Sequence, residues 1–534
     1  MGGLKSVGLQ KYKTKAESPN RSQTSRMPTF ATLLVTLLSL LSFRCVCLAT
    51  TLCQAGPLPD SAATQRLLQQ LDLFQTSPAI RFGTVALSVR RVRDNQEVIG
   101  YNARLSLPSA STLKLITTAT ALSVLGPTYT YTTTLEYDGT LRDSVLTGNI
   151  YIRGSGDPSL GSWRFPGYPD LPALLKSWST AVQAAGIRRV QGTVVGDASL
   201  YNDLTTPDTW PFGDLGNYYG ASLSALNVNE NLYRVFFRPG QTVGAAAIVS
   251  RFDPAVPYIS FRNTVTTDAA KTGDQVTIYG APFQNQQWLT GKVPTGTEFS
   301  VKGALPDPAY HAAYALHQQL IQNSVAIEYS PLSVGGGLSP VPGPSAKRTV
   351  LAQYQSPALK ELVRETNYQS INLYAEALLR TTALRLNRTV RSTSASLDAL
   401  TMFWKGKGLD LSGFRIRDGS GLSSVGALTA SNMTGILSVM SRDSAFSVFY
   451  ETIPIVGKTG TVRTLARGTA AAGNVRAKSG SIEGVRAYAG YFTATDGERM
   501  SFCLLVNKFT PGNNRTVTTE LENIFVGLVG LSGQ

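Results

Sequence analysis

The texture of this sequence changes twice, and nothing else in it constrains the fold as much. Helical spacing at Gln65–Phe74 and Ser111–Leu125 gives way between 128 and 349 to short β-like runs. Gly192-Thr-Val-Val195 and Gln275-Val-Thr-Ile-Tyr279 are two of them, broken up by Gly, Pro and Asn. Helical periodicity returns through Leu359–Leu384, after a linker-like stretch, Gly335-Gly-Gly-Leu-Ser-Pro-Val-Pro-Gly-Pro344. A chain of 534 residues, 43% hydrophobic and 16% charged, is too long for one core of ordinary size. The expected organisation is a discontinuous domain, 57–127 plus 350–534, interrupted by an inserted β-rich region of one or two domains at 128–349. Alternating runs at Val85–Val92 and Val98–Leu105 predict one hairpin of the discontinuous domain. Gly484–Ala494 and Met500–Phe509 predict another, closed by a helix over Thr516–Val529.

Residues 1–55 read as a leader. Lys5, Lys11, Lys13, Lys15, Arg21 and Arg26 precede the uncharged apolar run Phe30–Phe43, and small residues follow at Ala49 and Ala55. The run is short for a membrane span, so a cleaved signal is favoured over a retained anchor, and Met27 is an alternative start. The expected location is exported, periplasmic or cell-envelope. Cys45, Cys47 and Cys53 lie in or beside the leader, which argues against a disulfide framework. Cys503, in Ser501-Phe-Cys-Leu-Leu-Val506, reads as a buried thiol without a catalytic role. The net charge is +15, but Lys and Arg are scattered without a long run. That speaks against nucleic-acid binding and leaves weak attraction to an anionic polymer, with at most peripheral membrane contact.

Acyl transfer without a metal needs a nucleophile, a base and donors for an oxyanion. His311 and His317, both in the helical stretch Tyr310–Gln319, form no metal-ligand motif and read as packing or surface residues; no metal and no cofactor are expected. Ser111-Thr-Leu-Lys114 offers a different pair, because positions i and i+3 share a helical face and a desolvated Lys114 can accept the Ser111 proton. Ser370-Ile-Asn372 and Lys478-Ser-Gly480 follow, in the order of the penicillin-recognising serine enzymes. In this reading Ser370 relays a proton to the leaving amine and Asn372 holds the substrate amide. Lys478 and Ser479 bind the terminal carboxylate, and the N–H groups of Ser111 and Ser481 form the oxyanion hole. Lys458-Thr-Gly460 competes with Lys478-Ser-Gly480 by letter. Its glycine-rich surroundings suggest a turn, however, whereas Lys478 leads into a hairpin whose edge a peptide could join, so context favours Lys478.

With these elements placed, the chain resembles the class C low-molecular-mass penicillin-binding proteins, the D-alanyl-D-alanine carboxypeptidase/endopeptidase family. The marks are Leu107-Pro-Ser-Ala-Ser-Thr-Leu-Lys114, Gly154-Ser-Gly-Asp-Pro158, Gly192-Thr-Val-Val-Gly-Asp197, Asp418-Gly-Ser-Gly-Leu-Ser423 and Ala477-Lys-Ser-Gly-Ser481. The resemblance implies a β-lactamase/transpeptidase-like α/β domain, an antiparallel sheet flanked by helices, interrupted by β-rich domains. It implies a serine-type D-Ala-D-Ala carboxypeptidase or DD-endopeptidase acting on peptidoglycan peptides, with β-lactams as covalent inhibitors. It also assigns Asp214 and Tyr219 to the amine of the substrate's diamino acid. Two departures bear on that residue: Ser424 stands where relatives often carry Arg, and Glu483 where some carry Gln. Losing an Arg removes a carboxylate clamp and Glu483 suits an amine, so weaker dependence on the diamino acid's distal carboxylate is expected. The alternatives are a non-catalytic penicillin- or wall-binding module and a β-lactamase or esterase of the same superfamily.

Overall fold

The computed structural model describes residues 62–201, 203–204, 206–336 and 347–533. The expected leader, and the linker from 337 onward, lie outside these. The two ends of the described chain share one antiparallel sheet. Its strand order is Arg476–Ile482, Val485–Thr493, Arg499–Asn507, Thr84–Arg91, Glu97–Tyr101. Thr84–Arg91 pairs along its whole length with Arg499–Asn507, from Thr84 opposite Asn507 to Arg91 opposite Met500. Side chains alternate across a pleated strand, and both faces here are apolar. Val85, Leu87, Val89, Phe502, Leu504 and Val506 pack with Leu67, Leu71, Ile524 and Phe525, from the helices Ala62–Thr76 and Asn514–Val529. Ala86, Ala487, Ala489, Cys503 and Leu505 pack on the other side with Leu115, Ile116, Met433 and Leu437, from Lys114–Leu125 and Ala430–Met440. Small residues on that second face let the helix Lys114–Leu125 lie close to the sheet, and burial pushes the Cys503 thiol pKa up.

Between these parts runs a β-rich region whose core continues into Leu362, Leu373, Tyr374 and Ala377 of the helices Leu359–Gln369 and Asn372–Leu386. A five-stranded sheet has the order Leu332–Gly335, Val194–Ala198, Ile150–Arg153, Thr132–Tyr137, Thr349–Gln355, and three smaller sheets accompany it. Leu171–Ala184 and Pro308–Gln322 pack on this region through Leu174, Trp178, Val182, Ala312 and Leu316. His311 belongs to that packing: its Nδ1 is 2.7 Å from the Tyr258 hydroxyl, and burial lowers its pKa to about 4. Thr349–Gln355 pairs antiparallel with Thr132–Tyr137, so the first and last strands of this β-rich region lie side by side. The expected return at 350 thus falls inside a strand of this five-stranded sheet.

Two helical expectations need correction. The helix read at Ser111–Leu125 begins as a 3-10 turn over Ala110–Leu113 and becomes α-helical only at Lys114. The segment read as one helical stretch through Leu359–Leu384 is two helices, Leu359–Gln369 and Asn372–Leu386, broken at Ser370, which sits in the left-handed region at φ 62°. Among the described residues no helix is long and apolar enough to cross a membrane.

Candidate active site

Ser111 reaches its position through a tied-down approach. Leu107 and Leu428 exchange backbone hydrogen bonds, and Asn507 Nδ2 donates to Pro108 O at 3.2 Å. Ala110 turns through φ 44° immediately before Ser111. The 3-10 geometry that follows has about 3.0 residues per turn, which stacks i over i+3 more directly than an α-helix does. Lys114, fully buried, accordingly places Nζ 2.9 Å from Ser111 Oγ.

The other partners of Lys114 fix what its amine can do. Nζ lies 2.5 Å from Asn372 Oδ1 and 2.8 Å from Ser420 O. Asn372 Nδ2 donates to Tyr219 O at 2.7 Å, which sets the orientation of that amide. Both oxygens are acceptors only. A neutral amine has two hydrogens and one lone pair, so the hydrogens go to these oxygens and the lone pair faces the Ser111 hydroxyl. Burial pulls the Lys114 pKa down to about 7, against the opposing pull of Asp418 and Glu376.

Lys478 stands on the edge strand Arg476–Ile482, fully buried, with Nζ 2.9 Å from Ser370 Oγ and 2.7 Å from Ser479 O. Burial, and then the nearby Lys114, hold its pKa well below the ordinary lysine value. Ser370 meets it from the break between two helices, a backbone conformation uncommon for a residue with a side chain. Lys458 lies instead in an exposed turn before the 3-10 segment Gly460–Val462, its amine against Gly473. Thr461, within that segment, shares a 2.6 Å hydrogen bond with Ser479 Oγ, so the competing triplet's neighbour supports the edge strand.

Gly480 owes its identity to space rather than to φ. A Cβ there would lie 2.7 Å from Ser109 O and 3.0 Å from the Ser111 nitrogen. A Gly480→Ala variant should push the edge strand off Ser111 and slow acylation by benzylpenicillin about a hundredfold, read by stopped-time intact mass. An unchanged rate would show that the approach does not matter.

The remaining predicted residues divide. Asp214, in the short helix Phe212–Leu215, accepts from the Tyr219 hydroxyl at 3.3 Å, and burial raises its pKa. Tyr219 joins this pair to the Lys114 cluster through its carbonyl on Asn372. Ser481 accepts from Arg486 Nη1 at 2.6 Å. Glu483 is exposed in the turn after the strand and makes no hydrogen bond to the cluster among the described residues.

Sequence reasoning missed the support beneath Lys114. Asp418 is buried and accepts from Gly421 N, Ser423 N and Trp210 Nε1 at 2.8, 2.8 and 2.9 Å, shaping the loop whose Ser420 carbonyl holds Lys114. Glu376 accepts from Gly419 N, and its carboxyl is pushed up to about 7 by burial and then by Asp418. The signal was a lone carboxylate in an otherwise apolar stretch, Leu373-Tyr-Ala-Glu-Ala-Leu-Leu379. An Asp418→Ala variant strands three buried donors and should lose about 3 kcal/mol or more of stability, with slower acylation, measured by denaturant unfolding and adduct formation. Wild-type stability would discount this support.

D-alanyl-D-alanine carboxypeptidase of Actinomadura sp. (strain R39) is 26% identical over 476 residues, covering 86% of this chain and 85% of its own. D-alanyl-D-alanine carboxypeptidase DacB of Haemophilus influenzae is 26% identical over 457 residues, covering 84% and 90%. In fold, the chain is similar to the crystal structure of penicillin binding protein 4 from Haemophilus influenzae, with a TM-score of 0.72 at 22% identity, over 88% of this chain and 99% of that one. The mixed α/β architecture is thus shared with a β-lactamase/transpeptidase-like fold. The model of the D-Ala-D-Ala carboxypeptidase 3 (S13) family matches residues 67–526, and to that family this chain belongs.

Proposed function

We propose that this protein is a serine-type DD-peptidase that cleaves D-alanyl peptides of peptidoglycan through an acyl-enzyme on Ser111. The observation that carries this reading is the buried Lys114 amine 2.9 Å from Ser111 Oγ and held by two oxygens that only accept, Asn372 Oδ1 and Ser420 O, so that in its neutral form the lone pair is left for the Ser111 hydroxyl. Lys114 takes the Ser111 proton as Oγ attacks the penultimate D-alanyl carbonyl. The N–H groups of Ser111 and Ser481 receive the developing oxyanion, and Ser370 passes a proton to the departing amine. The substrate lies against the free side of the edge strand. Its terminal carboxylate meets Lys478 and Ser479 and supplies the negative charge that a buried lysine lacks. Water then hydrolyses the ester and regenerates Ser111.

A carboxypeptidase releases free D-alanine and an endopeptidase releases the side-chain amine of a second stem peptide; both use the same acyl-enzyme. A β-lactam enters as a strained amide whose leaving nitrogen stays tethered, so the ester persists. Asp214 and Tyr219 bind the amine of the diamino acid. The segments 57–127 and 356–534 form the peptidase domain, and 128–355, which includes the strand Thr349–Gln355, its insert. Residues 1–55 direct export to the cell envelope. The test is incubation of purified protein with cross-linked and uncross-linked muropeptides, with chromatography of the products. Release of D-alanine or cleavage of the cross-link supports the reading, and intact substrates in both sets overturn it.

A further inference from the structure

A group of aromatic rings lies on the β-rich region, outside the catalytic cluster. The strand Gln286–Pro294 pairs with Gln275–Tyr279 on one side and with Ser260–Asn263 on the other. Tyr279, Trp288 and Arg262 are direct cross-strand partners in one row, so their side chains stand on the same face. Thr290, two positions after Trp288, shares that face. The opposite face carries Ile278 and Leu289, buried in the core of the region, with Phe261 packed against it. Phe212 joins the row from the short helix Phe212–Leu215, its ring 5.7 Å from that of Tyr279. With Thr264 these residues line a shallow depression of about 310 Å³.

This is an unusual composition for a face that meets only water. Phe212 is 55% exposed and Trp288 38%, and exposed rings gathered on one surface mark a place where something binds. Among the described residues, Trp288 Nε1, the Tyr279 hydroxyl and the Arg262 guanidinium have no hydrogen-bond or ion-pair partner. Arg262 is the single charged residue of the lining. The face is also mounted on the piece of chain that carries Asp214 and Tyr219. Phe212 precedes Asp214 by two positions in one helix. Asn217 Nδ2 donates to Ile278 O at 3.3 Å, and Ile278 N donates to Asn217 Oδ1 at 3.1 Å. A Cβ on Gly216 would strike Ile278 O, so loop and strand touch backbone to backbone.

Resting on the reading of the site as a DD-peptidase, we propose that this face binds the glycan strand from which the stem peptides hang, with Trp288, Tyr279 and Phe212 stacking on its sugar rings. One side of a pyranose is a set of C–H groups, and these meet the electron-rich face of an aromatic ring. The hydroxyl and acetamido groups at the rim of the sugar are left for Thr264, Thr290 and the Arg262 guanidinium. A neutral amino sugar suits rings, hydroxyls and one charge; an anionic polymer would call for several cations. The reach agrees as well. Two residues and a lactyl ether separate the diamino acid of a stem peptide from its muramyl sugar, on the order of 10 Å of extended chain.

The experiment compares wild type with Trp288→Ala and Tyr279→Thr on a stem peptide joined to its disaccharide and on the same peptide free of sugar. Benzylpenicillin acylation and sedimentation are followed in parallel. The expected result is a wild-type KM about tenfold lower on the sugar-linked peptide at equal kcat, since ring contacts away from the scissile bond act in binding alone. Both variants should raise the KM of the linked peptide to that of the free one. Their KM on the free peptide and their acylation by benzylpenicillin should match wild type, which also shows that they fold. Equal wild-type KM on the two substrates, or variants that keep the advantage, overturns the proposal. Self-association of the wild type that is lost in Trp288→Ala, with KM unmoved, overturns it in favour of a second copy of this chain. Wild type that neither acylates nor turns over either peptide would overturn the peptidase reading itself.

Discussion

A Ser111→Ala variant is expected to form no penicilloyl adduct and to lose peptidase turnover by a factor on the order of a million, the scale seen when an acyl-enzyme nucleophile is removed. The size follows from chemistry that no neighbour replaces. Another hydroxyl of the cluster, Ser370 Oγ, is engaged by Lys478. The fold should survive, because among the described residues the Ser111 side chain hydrogen-bonds only to Lys114, and the residue is partly exposed. The cost to stability is then within about 1 kcal/mol. Intact-mass spectrometry after benzylpenicillin, with circular dichroism as the folding control, decides the matter. A stoichiometric adduct on a well-folded Ser111→Ala variant would remove Ser111 from the mechanism.

The second large effect concerns Lys114. Replacing it with Met keeps much of the volume and removes the base, and acylation should slow by about 10³- to 10⁴-fold, the upper range for general-base catalysis. The sign of the pH dependence follows from the direction of the shift. The amine is displaced downward, from 10.5 to about 7, so it is neutral above about 7 and protonated below it. Only the neutral form can take the Ser111 proton. Wild-type acylation should therefore fall about tenfold per pH unit below about 7 and level off above it. The Lys114→Met variant should be slow without that inflection. A wild-type rate that stays flat between about pH 5 and about pH 8 would mean that another group accepts the proton.

Much of this was legible in the sequence because it depends on local pattern. The change of texture at 128 and the two terminal hairpins announce an interrupted α/β domain, and Ser111 with Lys114 needs only a helical turn to meet. The losses occur where partners are distant or where no punctuation marks a change. Nothing in Tyr368-Gln-Ser-Ile-Asn372 warns of a helix break: there is no Gly or Pro, and the left-handed Ser370 is imposed by its surroundings, including its contact with Lys478. Thr349–Gln355 joins the inserted sheet through a partner more than two hundred positions away in the chain, which periodicity does not report. Trp210 and Asp418 meet across 208 positions, and Thr461 supports Ser479 from the residue just after the triplet set aside as a turn. The Asp418–Ser423 segment was visible as a family mark, but its role under Lys114 comes only from buried hydrogen bonds. Gly421 there carries a positive φ of 78°, and a Cβ on it would strike Ala110 O.

The pairing of Thr84–Arg91 with Arg499–Asn507 also sets a timetable for synthesis. On a ribosome or a translocon, the inserted β region has all its strands by Gln355 and is free to collapse early, while Thr84–Arg91 waits with an unfilled edge for residues made almost last. Until Asn507 emerges, nothing seats the strand that carries Lys478 against Ser111, because that strand reaches the central strand only through Val485–Thr493 and Arg499–Asn507. A nascent chain is thus an inert passenger, and hydrolytic competence is conferred in one late closure rather than accumulated piece by piece.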